Sequence, residues 1–422
     1  MMQLRNIVPI FLCTVLAVSC PFFIEAQTPP PAVSVTGIIF DEEGEPLPGV
    51  NVYVKNPMRG TSTNGDGQFT FHFPKNYQAQ YLYLSSIGYH TDSVWLDDKR
   101  AMLDISLKPD VLTMDEVVVT SQVKPESEIS ILRKAFDRIL ANYPTNPVNY
   151  SVFYRETTKM MDGQYAAVAE AMLDIFKNSY NKPKDRGQIK IEKSRKNIIP
   201  QYDSIVFMYF YGGPYAFIAK DYVLTRAKLI NPAHFNQFRY KKAGMTRFEG
   251  QDVYIIDFSS SKNDINGRLF INKADYAYVR IEIKTAQTIQ DNGFDRSHIS
   301  EAIQYIPHQG KWHLHQIKYT EYKHIHSSGI IFDCSLEHLT VQIKTDSVKT
   351  IPSRQRLLYN NPFYEMAKDY DPKYWDGYNI IQQDESLQEV LESLHSIEEI
   401  NKAMTKQFDR EQAEEPKKRQ KK

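Results

Sequence analysis

The chain has 422 residues, and its 51 lysines and arginines are balanced by 51 aspartates and glutamates. Because nucleic-acid-binding surfaces are strongly basic, a formal net charge of zero gives no reason to expect a nucleic-acid partner. The length predicts two or three domains. The 27 tyrosines and 22 phenylalanines favour strands and interfaces.

Residues 1–26 have the features of an export signal. Arg5 supplies the positive charge, residues 7–18 are mainly apolar, and Ala26 is the small residue before the predicted cleavage site. Lipid attachment at Cys20 is the less favoured alternative, because the residues before it only weakly resemble a lipoprotein box. The sequence therefore predicts an exported protein in the periplasm or associated with the outer membrane.

Cysteine usage limits the chemistry of the exported chain. After cleavage at Ala26 only Cys334 remains, so an intramolecular disulfide is excluded. Cys334 lies in a segment of alternating polarity without a catalytic Cys/His signature. It is predicted to be a buried structural thiol.

Residues 27–33 predict a proline-rich tether, and residues 34–108 predict a β-sandwich. Val50, Val52 and Val54 share one face of a strand, and prolines and glycines at 44–49 form a turn. Residues 64–67 read Asn-Gly-Asp-Gly, which is a turn sequence rather than a calcium loop, since spaced carboxylates are missing. This region closely resembles the carboxypeptidase-regulatory-like domain, a small transthyretin-like sandwich.

That resemblance implies an envelope setting, because this domain precedes many Gram-negative envelope proteins, including TonB-dependent outer-membrane receptors. Residues 112–121, within a predicted linker at 109–125, resemble the segment that follows the domain in such receptors. A receptor barrel needs roughly twenty strands of about ten residues each. Only about 300 residues follow the linker, so the sandwich is predicted to be a spacer attached to another kind of protein.

Residues 126–358 predict a second, α+β domain. A helix at 127–142 carries an apolar stripe of Ile129, Leu132, Phe136, Ile139 and Leu140, and strand patterns follow from 149 to 350. Successive strands with short turns predict a curved antiparallel meander. Residues 254–284 weakly resemble lipoprotein-carrier-like half-barrels.

Three of these strands, at 253–284, are predicted to be adjacent. They are expected to be joined by turns at 266–267 and 273–275. Val279, Ile281 and Ile283 are expected on an apolar face, with Arg280 and Glu282 on the wetter face.

Residues 359–408 predict an aromatic-rich segment followed by an amphipathic helix at 384–408, and residues 409–422 predict a disordered charged tail. Asp384 is the predicted N-cap of that helix, and Leu387, Leu391 and Leu394 form its buried stripe. The predicted fold is therefore mainly β, with an N-terminal sandwich, a curved antiparallel sheet, one packing helix and a C-terminal helix.

The sequence lacks the familiar motifs for nucleophilic, phosphate or metal chemistry. His313 and His315 are predicted to share one long strand with His324 and His326, so the two pairs lie too far apart to bind one ion. No metal and no cofactor are therefore predicted. The candidate apolar contact is an aromatic stretch that forms either a mobile lip or, as favoured here, part of the core: Phe207, Tyr209, Tyr211, Tyr215 and Phe217.

These features favour a non-enzymatic, exported envelope protein that binds or scaffolds near the outer membrane. Its expected partner is an unidentified envelope protein or apolar ligand, with peripheral association with the outer membrane as a further option. The first alternative is a carrier or chaperone for a lipid or lipoprotein acyl chain, held in a half-barrel cavity. The second is an envelope hydrolase, which would require acidic or histidine groups with shifted pKa values in one cleft.

Overall fold

The computed structural model describes residues 32–74, 81–96, 102–110, 126–198, 213–260, 262, 264–291, 293–359, 363–367, 375, 377–384 and 387–388. The protein is mainly β, as the sequence predicts. A small sandwich near the N-terminus packs against a large curved antiparallel sheet.

The sandwich consists of two sheets that enclose one apolar core. The first sheet has the order β4-β1-β7 and the second the order β3-β2-β5-β6. Val50, Val52 and Val54 are all buried in this core, as their alternation predicts. The strands are β1 (Ala32–Phe40), β2 (Asn51–Lys55), β3 (Met58–Ser62), β4 (Gln68–Pro74), β5 (Tyr81–Ser85), β6 (Asp92–Trp95) and β7 (Met102–Ser106).

The turn at residues 64–67 is closed by its own asparagine. The side-chain oxygen of Asn64 accepts hydrogen bonds from the backbone N–H groups of Asp66 and Gln68, at 3.0 and 2.8 Å. This geometry is an Asx turn. It confirms the predicted tight turn.

The large sheet has the strand order β11-β12-β13-β14-β16-β17-β18-β8-β9-β10, with the short β15 paired to β16. Strand β18 also pairs with β3 of the sandwich, where Gln342 lies opposite Arg59, so the second sandwich sheet is continuous with the large sheet. The run from β11 to β18 is the predicted meander, and β8 to β10 extend the sheet beyond β18. These strands are β8 (Val148–Met160), β9 (Tyr165–Lys177), β10 (Gln188–Ile198), β11 (Arg239–Phe248), β12 (Gln251–Ser260), β13 (Ile265–Asn272), β14 (Tyr278–Thr285), β15 (Ile289–Asp291), β16 (Phe294–His308), β17 (Lys311–Ile325) and β18 (Ile331–Lys344).

Strands β12, β13 and β14 are adjacent and antiparallel as predicted, but the first predicted turn is misplaced. Asn266 and Gly267 lie inside β13, opposite Ser259 and Phe258. Gly267 is needed there because a Cβ atom would lie 2.0 Å from the carbonyl oxygen of Glu282. The second turn is confirmed, since the Asn272 side chain accepts a hydrogen bond from the Ala274 N–H at 2.7 Å.

The predicted helix at 127–142 is two helices, α1 (Glu128–Asp137) and α2 (Ile139–Asn142), which meet at Arg138. The buried face consists of Ile131, Leu132, Ala135 and Ile139. The predicted stripe is therefore partly wrong, because Ile129 and Leu140 are 36% and 45% exposed. The predicted stripe and the buried face share Leu132 and Ile139, and helical periodicity alone does not show which of the two faces the core.

The concave side of the large sheet is filled by short helices. They are α3 (Gly213–Ile218) and α4 (Tyr222–Thr225), followed by 3-10 turns at Lys228–Ile230 and Pro232–Gln237. Together with α1 and α2 they share one apolar core with the sheet. Val279, Ile281 and Ile283 are buried in that core as predicted, and Arg280 and Glu282 lie on the opposite face.

The chain beyond β18 returns across the sheet. A 3-10 turn at Ser353–Gln355 and helix α5 (Phe363–Met366) precede a segment at 377–384. Asp384 accepts a hydrogen bond from the Leu387 N–H at 2.8 Å, which supports the predicted N-cap. Leu387 is 2% exposed and packs against Tyr165 and Val168. Leu391, Leu394 and the tail lie outside the described residues.

Direct contacts join the sandwich to the convex face of the large sheet. The Tyr53 hydroxyl donates to the Glu249 carboxylate at 2.7 Å, and Asn51 is hydrogen-bonded to His315 at 2.9 Å. Asn379 adds a third link, because its side chain pairs with both backbone groups of His72 at 2.7 and 3.1 Å. The two domains therefore form one continuous structure.

Candidate functional site

A cleft of about 440 Å³ lies between the sandwich and the convex face of the large sheet. Two sandwich turns form one wall, at residues 48–49 and 86–87, and strands β11 to β17 form the floor. The volume is within the usual range for small-ligand sites. The floor residues that carry polar groups are Thr246, Arg280, Glu282, Gln304, Gln316 and Lys318.

A row of alternating charges crosses the convex face at the level of this cleft. Each member of the row lies directly opposite the next on the neighbouring strand, where opposite charges attract. We call this set the charge row. From β11 to β10 its members are Lys241, Asp257, Arg268, Glu282, Ala302, Lys318, Glu337, Arg155, Glu170 and Arg195.

The half of the charge row that contains Arg155, Glu170 and Arg195 is buried and fully paired. Glu170 accepts from the Nε atoms of Arg155 and Arg195 at 2.8 and 2.6 Å, and from the Trp375 indole at 2.8 Å. Burial acts to raise the pKa of Glu170, but the charges of Arg195 and Arg155 outweigh it and lower the pKa to about 2. Arg155 also donates to the Ile381 carbonyl oxygen at 2.6 Å, so the C-terminal segment covers this half.

The other half, which runs from Lys241 to Lys318, is open to solvent and lacks a charge at one position. Ala302 occupies the position between Glu282 and Lys318, so the charge row has no charge there. Glu282 is paired sideways with Arg280 on its own strand, at 2.7 Å. Lys318 lies 3.7 Å from Glu337, which is longer than a charge-assisted hydrogen bond. The cleft lies over this interruption.

Gln316 is the most unusual residue of the cleft. Its side chain is 3% exposed, and among the described residues its Nε2 atom has no hydrogen-bond partner. A buried amide donor without an acceptor is costly, and most are satisfied in folded proteins. Gln316 is therefore a floor residue of the cleft whose amide nitrogen is buried and unsatisfied.

A second polar cluster lies inside the concave core. Asp221 is fully buried, forms an ion pair with Lys177, and accepts from the hydroxyls of Tyr180 and Tyr305 at 2.8 and 2.7 Å. Burial acts to raise the pKa of Asp221, but the charge of Lys177 and the hydrogen bonds lower it overall. A cavity of about 20 Å³ beside Lys177 is large enough for one water molecule. The cluster is enclosed in the core, and the Asp221 carboxylate is paired there.

Two members of the predicted aromatic contact lie in helix α3. Tyr215 is 7% exposed and Phe217 is 2% exposed, and the Phe217 ring lies edge-on to Tyr154 at 5.6 Å. Both pack in the core. Phe207, Tyr209, Tyr211 and the cleavage residue Ala26 lie outside the described residues.

The four histidines lie on or just after strand β17, as predicted. His313 and His315 are each 1% exposed and have separate partners, Tyr150 at 2.9 Å and Asn51 at 2.9 Å. Across the part of the chain that the structure describes, no group of three or more His, Cys, Asp or Glu residues is arranged to hold a metal ion. Cys334 is fully buried, and burial raises the pKa of its thiol to about 12.

The cleft could be found only in part from the sequence. Alternation placed Arg280 and Glu282 on the wetter face of β14, and the structure confirms this. Gln304, Gln316 and Lys318 carried no local signal, because their position depends on which strands become neighbours. The turn at residues 48–49 was recognised as a turn, but its place beside the large sheet was not.

Comparison with known proteins assigns the N-terminal domain. Residues 35–119 match the family model of the CarboxypepD_reg-like domain. TonB-dependent receptor P39 of Formosa agariphila is 40% identical over 85 residues, which are 20% of this chain and 8% of the receptor. TonB-dependent receptor SusC of Bacteroides thetaiotaomicron is 37% identical over 87 residues, which are 21% of this chain and 8% of the receptor.

The sandwich is therefore a CarboxypepD_reg-like domain related to the domain of TonB-dependent receptors, as the sequence predicted. The matched part of this chain spans less than a tenth of either receptor, at 8% of each. The match does not extend over the large sheet.

Solved structures give no further assignment. A DUF1329 family protein from Desulfovibrio piger is 11% identical, with a TM-score of 0.22, and the match covers 52% of this chain and 94% of that protein. Lipovitellin is 11% identical with a TM-score of 0.21, over 53% of this chain and 28% of that chain. Scores this low carry no argument about fold or function. Within the described ranges, no helix is both long and apolar enough to cross a membrane.

Proposed function

We propose that this protein is an exported, non-enzymatic binding protein of the cell envelope, located in the periplasm or at the outer membrane. We further propose that the cleft between its two domains is the ligand site. The relationship of the sandwich to TonB-dependent receptors supports the envelope setting. In this proposal the sandwich has a direct role, because it supplies one wall of the site.

The observation that carries the proposal is the buried amide of Gln316 at the floor of the cleft. A buried amide donor that has no acceptor among the described residues is explained by a ligand that supplies one when the side chain turns towards the cleft. Arg280, Glu282 and Lys318 lie around it, so the floor can orient a polar ligand. The Ile87, Ile255 and Phe270 side chains add apolar contact.

The lipid-carrier alternative has less support. It requires an open apolar cavity on the concave face, beside Ile281. Helices α1 and α3 and the following turns instead pack into the same core as that residue. Saturable binding of a fluorescent fatty acid by the folded protein would revive this alternative.

The hydrolase alternative also has less support. Among the described carboxyl groups, Glu156 has a pKa raised to about 8 and Glu170 has a pKa lowered to about 2. Both side chains are buried, on opposite faces of the sheet, and neither lines the cleft. The binding function therefore fits the geometry best.

The test uses the full-length protein, produced with its own N-terminus in a Gram-negative host. We expect it in the periplasmic or outer-membrane fraction. Purified protein is then mixed with a low-molecular-weight extract of the envelope, and retained compounds are identified by mass spectrometry. Ala302→Met should reduce retention of a specific compound at least tenfold, because the larger side chain fills the cleft.

The control is Lys284→Met, which changes an exposed lysine on the same strand face as Glu282 but outside the cleft. It should retain the compound as the wild type does. Cytoplasmic location would contradict the envelope assignment. Equal retention by wild type and Ala302→Met would contradict the cleft as the ligand site.

A further inference from the structure

We propose that the ligand of the cleft is a short peptide with a free amino group and a free carboxylate. This inference rests on the proposed function, since it takes the cleft as the binding site. In the complex, the peptide carboxylate lies against Lys318 and Gln316, and the peptide ammonium lies towards Glu282. The geometry that points to this ligand is the interruption of the charge row at Ala302.

The order of charges around the interruption determines the ligand's polarity. The charge row reads Glu282, Ala302, Lys318 across three neighbouring strands, which is negative, neutral and positive. Elsewhere along the row, each charge faces one of the opposite sign. Two ligand charges placed in the gap restore the alternation only if the positive one lies beside Glu282 and the negative one beside Lys318. A zwitterion meets this condition, and a simple anion does not.

The donor side of the gap is ready for a carboxylate. Gln316 and Lys318 are two residues apart on β17, so both side chains face the cleft. Gln316 Nε2 is the unpartnered buried donor, and the Lys318 ammonium is 3.7 Å from Glu337. A carboxylate can accept from both groups at once, because it has two oxygens.

The opposite side of the gap disfavours a second negative group. Glu282 is 36% exposed at its side chain and remains accessible from the cleft. Its partner Arg280 is itself fixed, by a hydrogen bond of 2.9 Å to the Gln304 oxygen. Two of the three guanidinium nitrogens of Arg280 are thus engaged within the protein, and the Glu282 side chain is the more exposed member of the pair, at 36% against 28%.

The length of the gap fits a short peptide. Glu282 and Lys318 lie on strands two steps apart, which corresponds to roughly 9.6 Å between backbones. Ala302 contributes only a methyl group between them. The 440 Å³ above this gap has apolar walls at Ile87 and Phe270, which suit small side chains.

Calorimetric titration of the full chain with trialanine tests the inference. We expect saturable binding to the wild type and to Lys284→Met. Lys318→Met and Gln316→Leu should each weaken it at least tenfold, and Ala302→Met should abolish it without lowering the melting temperature. Trialanine amide should bind at least tenfold more weakly than the free acid, and N-acetyl-trialanine about threefold more weakly.

The outcomes separate this inference from the proposed function. Absence of trialanine binding, or equal binding of acid and amide, overturns the peptide assignment. Glucuronate is the comparison carboxylate. If it binds in a manner sensitive to Ala302→Met while trialanine does not, the ligand is a sugar acid and the peptide assignment is wrong. Envelope compounds retained by the cleft in the absence of trialanine binding would leave the proposed function standing alone.

Discussion

The two halves of the charge row have the same kinds of residues and opposite properties. In the buried half, Glu170 is held between Arg155 and Arg195 under the C-terminal segment, and every charge has a close partner. In the open half, Ala302 stands where a charge is missing, Glu282 pairs with Arg280 on its own strand, and Lys318 lies 3.7 Å from its row neighbour Glu337. In our proposal, the paired half of the charge row has a structural role, and the missing charge at Ala302 leaves room for a ligand.

The largest expected effect comes from breaking the buried half. Glu170→Gln removes the carboxylate that Arg155 and Arg195 share, and leaves Arg155 with its ion pair to Glu337 at 3.2 Å. We expect it to lower the free energy of unfolding by about 3–5 kcal/mol. Urea denaturation measures this, with Glu192→Gln as a control, since that side chain is 49% exposed. If both variants lose less than about 0.5 kcal/mol, Glu170 is not the centre of a structural network.

The pH dependence of stability should distinguish Glu170, a buried carboxyl group in the charge row, from Glu156, a buried carboxyl group outside it. Burial raises the pKa of Glu156 to about 8, more than the hydrogen bond from Tyr154 and the charge of Lys323 lower it. A carboxyl whose folded-state pKa lies above its unfolded value costs stability as the pH rises between the two. The wild type should therefore lose stability between about pH 4.5 and pH 8.

Glu156→Gln should remove most of that loss, on the order of 2–4 kcal/mol between pH 5 and pH 8. Urea denaturation of both proteins at the two pH values provides the measurement. Parallel stability profiles for wild type and variant would show that Glu156 does not titrate in this range. The contribution of Glu170 to stability changes with pH in the opposite direction. It is fully present above about pH 4.5 and is lost as the pH falls towards 2.

Loosening the C-terminal segment at residues 377–384, which covers the buried half of the charge row, is expected to lower stability moderately. Asn379→Ala removes two hydrogen bonds to the backbone of His72, and with them part of the contact between the sandwich and the C-terminal segment. We expect a loss of about 1–2 kcal/mol and faster protease cleavage in residues 377–384. Asn266→Ala, at an exposed position, is the control. Unchanged cleavage rates would mean that other contacts hold this segment.

The smallest expected effect comes from the open half. Lys318→Met should change the free energy of unfolding by less than about 0.5 kcal/mol, because the lysine is 38% exposed and its ion pair is long. Thermal denaturation checks this. A loss comparable to that of Glu170→Gln would show that the two halves are equivalent and would remove the distinction between a structural and a binding half.

Much of the fold followed from local patterns. Alternation identified the sandwich, the meander and the buried face of Val279, Ile281 and Ile283, because a strand with one buried side has a period of two. Local patterns gave wrong predictions where contacts between distant parts of the chain determine the structure. Gly267 is inside a strand because a neighbouring backbone approaches closely, and the buried face of α1 is one stripe away from the predicted one.

The candidate site was harder to predict for the same reason. The charge row joins residues that are far apart in sequence, such as Arg155 and Glu337, and no local periodicity shows that they meet. Ala302 looks like any small residue in a strand until its two neighbours are known. The unsatisfied amide of Gln316 likewise depends on the complete three-dimensional surroundings.

The ends of the large sheet also have a consequence for association. A sheet that does not close leaves unpaired backbone groups on its first and last strands, and these can pair with other molecules. Here the outer strands are β11 and β10, and each has an irregular register, at Lys242/Gly244 and Ile191/Lys193. Bulges and lysines at exposed edges oppose the addition of further strands. We therefore expect these two edges, as far as the structure describes them, to oppose edge-to-edge association between copies of the protein.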